Sequence, residues 1–235
     1  MNLKKTLKNF RNKLLGGGSA THSEVQFIKN LLLKQSANNL NTLFDVVYET
    51  NYWGSGSGSG SNENLCRDYV AFLQEFFKAH NITSIVDAGC GDWQFSKNID
   101  FSGITYQGFD VASFVINANT PRYSKDNISF HLYDGDFSKL PSADLLICKD
   151  VLQHLPIAKI KEFITILPRF KYALITNDIG TNNNTEILPT QGRTLDLRED
   201  PFYLDCSIVF EIQENCPKSW GIKSKPVMLW KNPKL

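Results

Sequence analysis

Several patterns that decide a protein's class are missing from this 235-residue chain. Its five cysteines, at 66, 90, 148, 206 and 216, form no C-x-x-C pair. That spacing excludes a zinc ribbon and a disulfide framework, and buried thiols in a reducing compartment are expected instead. No apolar run approaches the roughly 20 residues that span a bilayer. The N-terminus is basic but lacks the apolar stretch of a secretory signal, so a cytoplasmic location is expected. Strong charge of either sign is also absent, the formal net charge being +1. Lys4, Lys5, Lys8, Arg11 and Lys13 crowd the first 15 residues, which leaves 20 basic against 24 acidic residues elsewhere. A nucleic-acid binder carries its basic footprint on the folded domain. Here the footprint is a short tail, and nucleic acid is not the expected substrate. With 42% hydrophobic and 21% charged residues, the composition excludes disordered and fibrous classes. The length suits one sizeable domain plus an accessory segment.

What is present divides near residue 61. Leu3, Leu7, Phe10 and Leu14 recur at helical spacing, with the basic residues on the other faces, and Gly16-Gly17-Gly18 ends the segment. Such a helix docks on the domain or on a partner chain, which offers a route to an oligomer. A second helix is predicted from about Ser23 to Lys34, burying Val25, Ile28, Leu31 and Leu32. Gly54 to Ser61 alternates glycine and serine directly after Tyr52-Trp53, as a flexible linker or a mobile lid. A third helix is predicted from about Asn62 to His80, with Leu65, Val70, Leu73, Phe76 and Phe77 on its apolar side. The expected division is therefore 1–61 as an N-terminal helical segment with its lid or linker, and 62–235 as the main domain.

From Ile82 onward, short β-rich runs alternate with helical ones. Strands are predicted at Ser84–Ala88, Thr105–Phe109, Ile128–Tyr133, Asp144–Lys149 and Ala173–Asn177, with a helix at Ile157–Leu167. Brief apolar strands alternating with helices point to a doubly wound parallel sheet of the α/β class. Ser207–Ile212 and Val227–Trp230 have no helix-length segment between them, and are expected to close the sheet as an antiparallel hairpin.

The residues that carry chemistry stand at the ends of these strands. Asp87-Ala88-Gly89-Cys90-Gly91 is a strand running into a glycine turn, read as leading into a helix whose amides face a polar ligand group. Asp110 ends the next strand, where an acid accepts hydrogen bonds from ribose hydroxyls. Asp134-Gly135-Asp136-Phe137 ends the third, and offers an acid for an adenine amino group beside an aromatic ring. Such groups converge where open α/β sheets bind ligands. A dinucleotide fingerprint expects a third glycine, and that position is Gln94.

Residues 82–178 resemble the core of the class I methyltransferases dependent on S-adenosylmethionine (SAM). The resemblance rests on Val86 to Gly91, on Asp110 and on Asp136-Phe137. It implies a Rossmann-like, seven-stranded, mostly parallel sheet, with SAM as cofactor and S-adenosylhomocysteine (SAH) as product. Asp87, Gly89 and Gly91 would surround the methionine end, Asp110 the ribose, and Asp136 with Phe137 the adenine. Cys90, Val111, Lys149 and Trp53 complete the expected cofactor set. A narrower group shares Lys149-Asp150-Val151-Leu152-x-His154-Leu155 and the upstream Trp-Gly-Ser-Gly stretch. Its members are similar to methyltransferases of bacterial surface-polysaccharide and small-metabolite pathways.

That resemblance implies O-methylation of a small polar acceptor, such as a sugar or a phosphorylated or nucleotide-linked precursor of a surface glycan. Alternatives are N-methylation of a small amine and a non-catalytic SAM-binding sensor. His154 has the intrinsic pKa of a proton acceptor, and Asp150 would orient it or bind substrate; packing against the following helix is the competing role for His154. Trp93 is expected either near the cofactor or in the core. Arg193 and Arg198 are expected either as solvated charges or as binders of an anionic acceptor. Asp150 and Asp178 supply two possible metal ligands but no third is evident, so no metal is expected.

Overall fold

The computed structural model describes residues 39–212 and 222–235, together with Leu32. The basic helix at 3–14 lies outside these residues, as does all of the predicted second helix except Leu32, which is helical but exposed rather than buried. Residues Asn39–Leu235 form one compact unit, so the Gly-Ser stretch lies inside it.

The unit opens with α1, Leu40–Glu49, where Asn39 accepts a hydrogen bond from the Thr42 amide and caps the first turn. Leu40, Phe44, Val47 and Tyr48 are its buried face, at the spacing of a single helical stripe. Helix α2 spans Arg67–Ala79, five residues shorter at its start than predicted. The side chain of Asn62 takes the Asn64 and Leu65 amides in a local turn, and such turns compete with helix. The strands β1 (Ser84–Ala88), β2 (Thr105–Asp110), β3 (Ile128–Leu132), β4 (Ala143–Lys149) and β5 (Phe170–Thr176) fall within a few residues of prediction. Helix α3, Ser113–Tyr123, joins β2 to β3, and α4, Ile157–Ile166, joins β4 to β5. Strands β7 (Ser207–Glu211) and β9 (Pro226–Lys231) close the sheet, while β6 (Ile179–Gly180) and β8 (Ile222–Ser224) form a separate two-stranded ladder.

The strand order is β3-β2-β1-β4-β5-β9-β7. The first five strands are parallel, whereas β9 is antiparallel to both β5 and β7. This is the predicted mostly parallel sheet with its antiparallel ending. Successive residues face opposite sides, so Val86, Leu146 and Cys148 join α1 and α4 in one core, while Ile85, Leu145 and Ile147 join α2 in the other. The order reverses between β1 and β4, and the carboxyl ends of those strands open the crevice where such sheets bind ligands. No described helix is long and apolar enough to cross a membrane.

One expectation fails next to that crevice. No α-helix follows the glycine turn; only a 3-10 turn at Ser96–Asn98 lies between β1 and β2. Gly91 and Trp93 both adopt left-handed φ values, 55° and 60°, which breaks helix propagation. No helix N-terminus therefore faces the ligand here.

Candidate active site

The glycine turn is held by the end of β2 rather than by a helix. The amides of Gly89 and Cys90 both donate to the Phe109 carbonyl, at 2.8 and 3.0 Å. The Gly91 amide donates to Oδ2 of Asp110 and the Ala112 amide to its Oδ1, each at 2.9 Å. Gly91 needs its missing side chain: a Cβ there would lie 2.4 Å from Oγ of Ser57, at a φ that disfavours L-residues. Burial pushes the Asp110 carboxyl up to about 6, against the pull of the Ala112 and Gly91 amides. Asp87 is pushed up to about 7, also by burial, although the Tyr106 hydroxyl donates to it at 2.7 Å. Trp93 donates to that same hydroxyl at 2.9 Å, and so belongs to the core rather than to the pocket.

The pocket over these strand ends has two characters. Leu40, Phe44, Val111, Tyr133 and Phe137 line an apolar side, whereas Asp87, Ser57, Ser61, Lys149 and Asp150 line a polar one. Asp110, Gly89, Gly91, Trp53 and His154 also reach it. Two expected cofactor residues do not. The Asp136 carboxylate caps the turn at Phe137–Lys139 by accepting from the Ser138 amide, and Asp134 pairs with Lys139. Cys90 is buried beside Gly108 and is not part of the lining.

Four further features complete the site, of which sequence reasoning missed two, the α1 roof and Lys225. Helix α1 forms part of its roof, and the Leu40-Phe44-Tyr48 stripe behind an Asn cap is the signal that marks it. The Gly-Ser stretch is fastened across the opening. Ser57 donates its amide to Asp92 at 3.1 Å, while its Oγ receives the Asp92 amide at 2.9 Å and meets the Tyr48 hydroxyl at 3.0 Å. Lys149 donates to the Gly60 carbonyl at 2.6 Å and pairs with Asp150 at 2.5 Å. Lys225, just before β9, lies between Asp150 at 3.2 Å and Asp178 at 3.3 Å. An ammonium therefore links the two acids considered as metal ligands. Burial pushes Asp150 up, but Lys149 and Lys225 overcome it and hold the carboxyl well below its usual range. No local pattern announces Lys225, which is 75 residues away in sequence.

His154 stands at the edge of the pocket, its ring 5.2 Å from the Trp53 ring. Its Nδ1 lies 3.0 Å from the Gln191 carbonyl. A carbonyl only accepts, so Nδ1 carries the proton and Nε2 keeps a lone pair. Burial holds the His154 pKa below its ordinary value, which keeps the ring neutral near pH 7. Asp150 does not touch it through any hydrogen bond among the described residues. Both arginines are held by partners of their own, Arg198 at the surface and Arg193 in the interior. Arg198 forks onto Asp196 at 2.9 and 2.6 Å. Arg193 is buried, with its guanidinium donating to the carbonyls of Leu155 at 2.7 Å and Thr185 at 3.0 Å.

The O-methyltransferase domain family matches residues 57–177, just over half of the chain. No curated protein matches the sequence. Among solved structures, the methyltransferase domain of bacterial CtHen1 is 14% identical with a TM-score of 0.53, over 71% of this chain and 99% of that one. TehB from Haemophilus influenzae is 17% identical with a TM-score of 0.51, over 73% of this chain and 66% of that one. The bifunctional kinase-methyltransferase WbdD is 17% identical with a TM-score of 0.50, over 71% of this chain but only 40% of that protein. At such identities these likenesses speak for the fold, and the family match speaks for the chemistry: the chain belongs to the O-methyltransferase domain family and is a class I SAM-dependent methyltransferase.

Proposed function

We propose that the protein O-methylates a small polar acceptor, with His154 as the base. The pocket residues fit the cofactor's shape and polarity. Leu40, Phe44, Val111 and Phe137 offer an apolar slot for the adenine ring. Each Asp110 oxygen spends one lone pair on a backbone amide and keeps another for a ribose hydroxyl. Asp87 and Ser57 sit at the polar side for the methionine end. Trp53 and Lys149 shape the lid over it. Asp136 braces the turn that carries Phe137.

When bound, SAM supplies an electrophilic methyl on a sulfonium sulfur, and the carbon–sulfur pair stays on that sulfur as the new carbon–oxygen bond forms. The chain's own residues do the rest. The pocket walls align the acceptor oxygen with the methyl carbon. Nε2 of His154 takes the hydroxyl proton and later releases it to water. Asp150, held ionised between Lys149 and Lys225, stiffens the strand end from which His154 projects. The observation that carries this reading is the neutral His154, fixed by Gln191 with its free lone pair at the pocket edge. An amine acceptor has no such call on a base once deprotonated. Arg193 donates to backbone carbonyls and Arg198 is paired with Asp196, which takes away the support for a phosphorylated or nucleotide-linked acceptor. The buried thiols of Cys66, Cys90 and Cys148 agree with action in the reducing cytoplasm.

The test is incubation with methyl-labelled SAM and a metabolite extract. The expected product carries the label as an alkali-stable ether. Label recovered on nitrogen, or SAM bound without transfer across varied extracts, contradicts the reading.

A further inference from the structure

A second cavity of about 270 Å³ lies beyond His154, lined by Gln153, Asp178, Thr181, Asn182, Thr185 and Thr194 among others. His154 lines both this cavity and the cofactor pocket. His154 therefore stands where the two cavities meet, so that a hydroxyl presented from the second can approach a methyl held in the first.

The two walls differ in kind. Apart from His154, no aromatic and no aliphatic side chain among the described residues lines the second cavity. A flat phenolic ring would find no apolar slot there. Charge is equally committed elsewhere. Arg193, in its wall, donates through its terminal nitrogens to the Leu155 and Thr185 carbonyls, and its Nε, without a partner among the described residues, is buried out of a ligand's reach. Asp178 is engaged by Lys225 at 3.3 Å and by the Gln153 amide, also at 3.3 Å. An anionic acceptor would lose its hydration without gaining a cation dedicated to it, which is costly. What remains is a set of neutral donors and acceptors. The side chains of Thr181, Asn182 and Thr185 are exposed and make no hydrogen bond to another described residue. Hydroxyl and amide groups at several angles around a small cavity match a ring that carries hydroxyls on every side.

We propose that this cavity is the acceptor subsite and that it takes an uncharged polyhydroxylated molecule, a monosaccharide or simple glycoside, in preference to a phenol or a sugar phosphate. The inference rests on the O-methyl-transfer reading and adds the place and chemical class of the acceptor. One hydroxyl of the ring reaches Nε2 of His154, while Asn182, Thr185 and Gln153 hold the others.

The experiment uses the full chain saturated with SAH. Saturation-transfer NMR follows a panel of methyl glycosides, with catechol and glucose 1-phosphate as the competing classes. At least one glycoside is expected to bind in preference to both competitors. The Asn182→Leu/Thr185→Val variant is expected to weaken that binding roughly tenfold, the loss of about two hydrogen bonds. Calorimetry on the same variant should give the wild-type SAH affinity, which also shows that it is folded. Preference for catechol or for the sugar phosphate overturns the proposal, as does a glycoside affinity unchanged in the variant. SAH binding with no glycoside binding overturns the subsite alone. Failure to bind SAH overturns the cofactor reading and the subsite with it.

Discussion

The two pockets that meet at His154 are made from different material. The cofactor side is built from the ends of β1, β2 and β4, and its polar groups are tied to residues from other parts of the sheet, as Asp110 is to the Gly91 amide and Asp150 to Lys225. The far side is built from the loop after β6, whose polar groups are tied mainly to one another. Asn183 accepts from the Gly180 amide, and Asn184 donates to the carbonyls of Asp196 and Asp200. A rigid frame fixes the part of the reaction that never varies, and a loop that tolerates substitution shapes what is methylated. Substitutions on the frame should therefore alter cofactor binding and stability, whereas those on the loop should alter acceptor choice alone.

The largest expected effect is on the frame. Asp110→Ala removes a buried carboxylate and its charge-assisted hydrogen bonds, each worth about 1.5–3 kcal/mol. We expect SAH affinity to fall about a hundredfold by calorimetry, and an unchanged dissociation constant would break the ribose assignment. Protonation should imitate that loss. Because Asp110 is raised to about 6 and Asp87 to about 7 when folded, the folded protein binds more protons than the unfolded chain between pH 4 and 7. Stability without ligand should then decline as pH rises through that window, by on the order of 3–4 kcal/mol per group. SAH affinity should run the opposite way and strengthen as Asp110 ionises. Melting temperatures with and without SAH from pH 5 to 8 should converge at the acid end. Curves that stay parallel would contradict it. A smaller effect is expected from Gly91→Ala. Its Cβ meets Ser57 at 2.4 Å and its left-handed backbone costs about 1–2 kcal/mol. Both should lower the melting temperature and loosen the Gly-Ser lid together.

The same contrast explains what the sequence made legible. Strands and the glycine turn are local: β1 and its turn are specified within Ser84 to Gly91, and a period-2 apolar pattern needs no knowledge of the rest of the chain. The Asp110 position follows from strand spacing alone. The Gly-Ser stretch could be read only as linker or lid, because what fastens it is Asp92, Tyr48 and Lys149, two of which are distant in sequence. Lys225 reaches Asp150 only because β9 inserts beside β5 against chain order. Asp136 has a local partner: an acid beside Phe137 has the composition of an adenine site, and one of its oxygens accepts the Ser138 amide two residues on, while Phe137 reaches the pocket.

The most direct test of the central claim is the single-turnover rate of methyl transfer against pH, in the wild type and in His154→Gln. If Nε2 of His154 takes the acceptor proton, the wild-type rate falls about tenfold per pH unit once the imidazole is protonated, and the variant loses 10²–10⁴ in rate along with that acid limb. A variant that keeps both the rate and the same acid limb would show that the proton goes elsewhere.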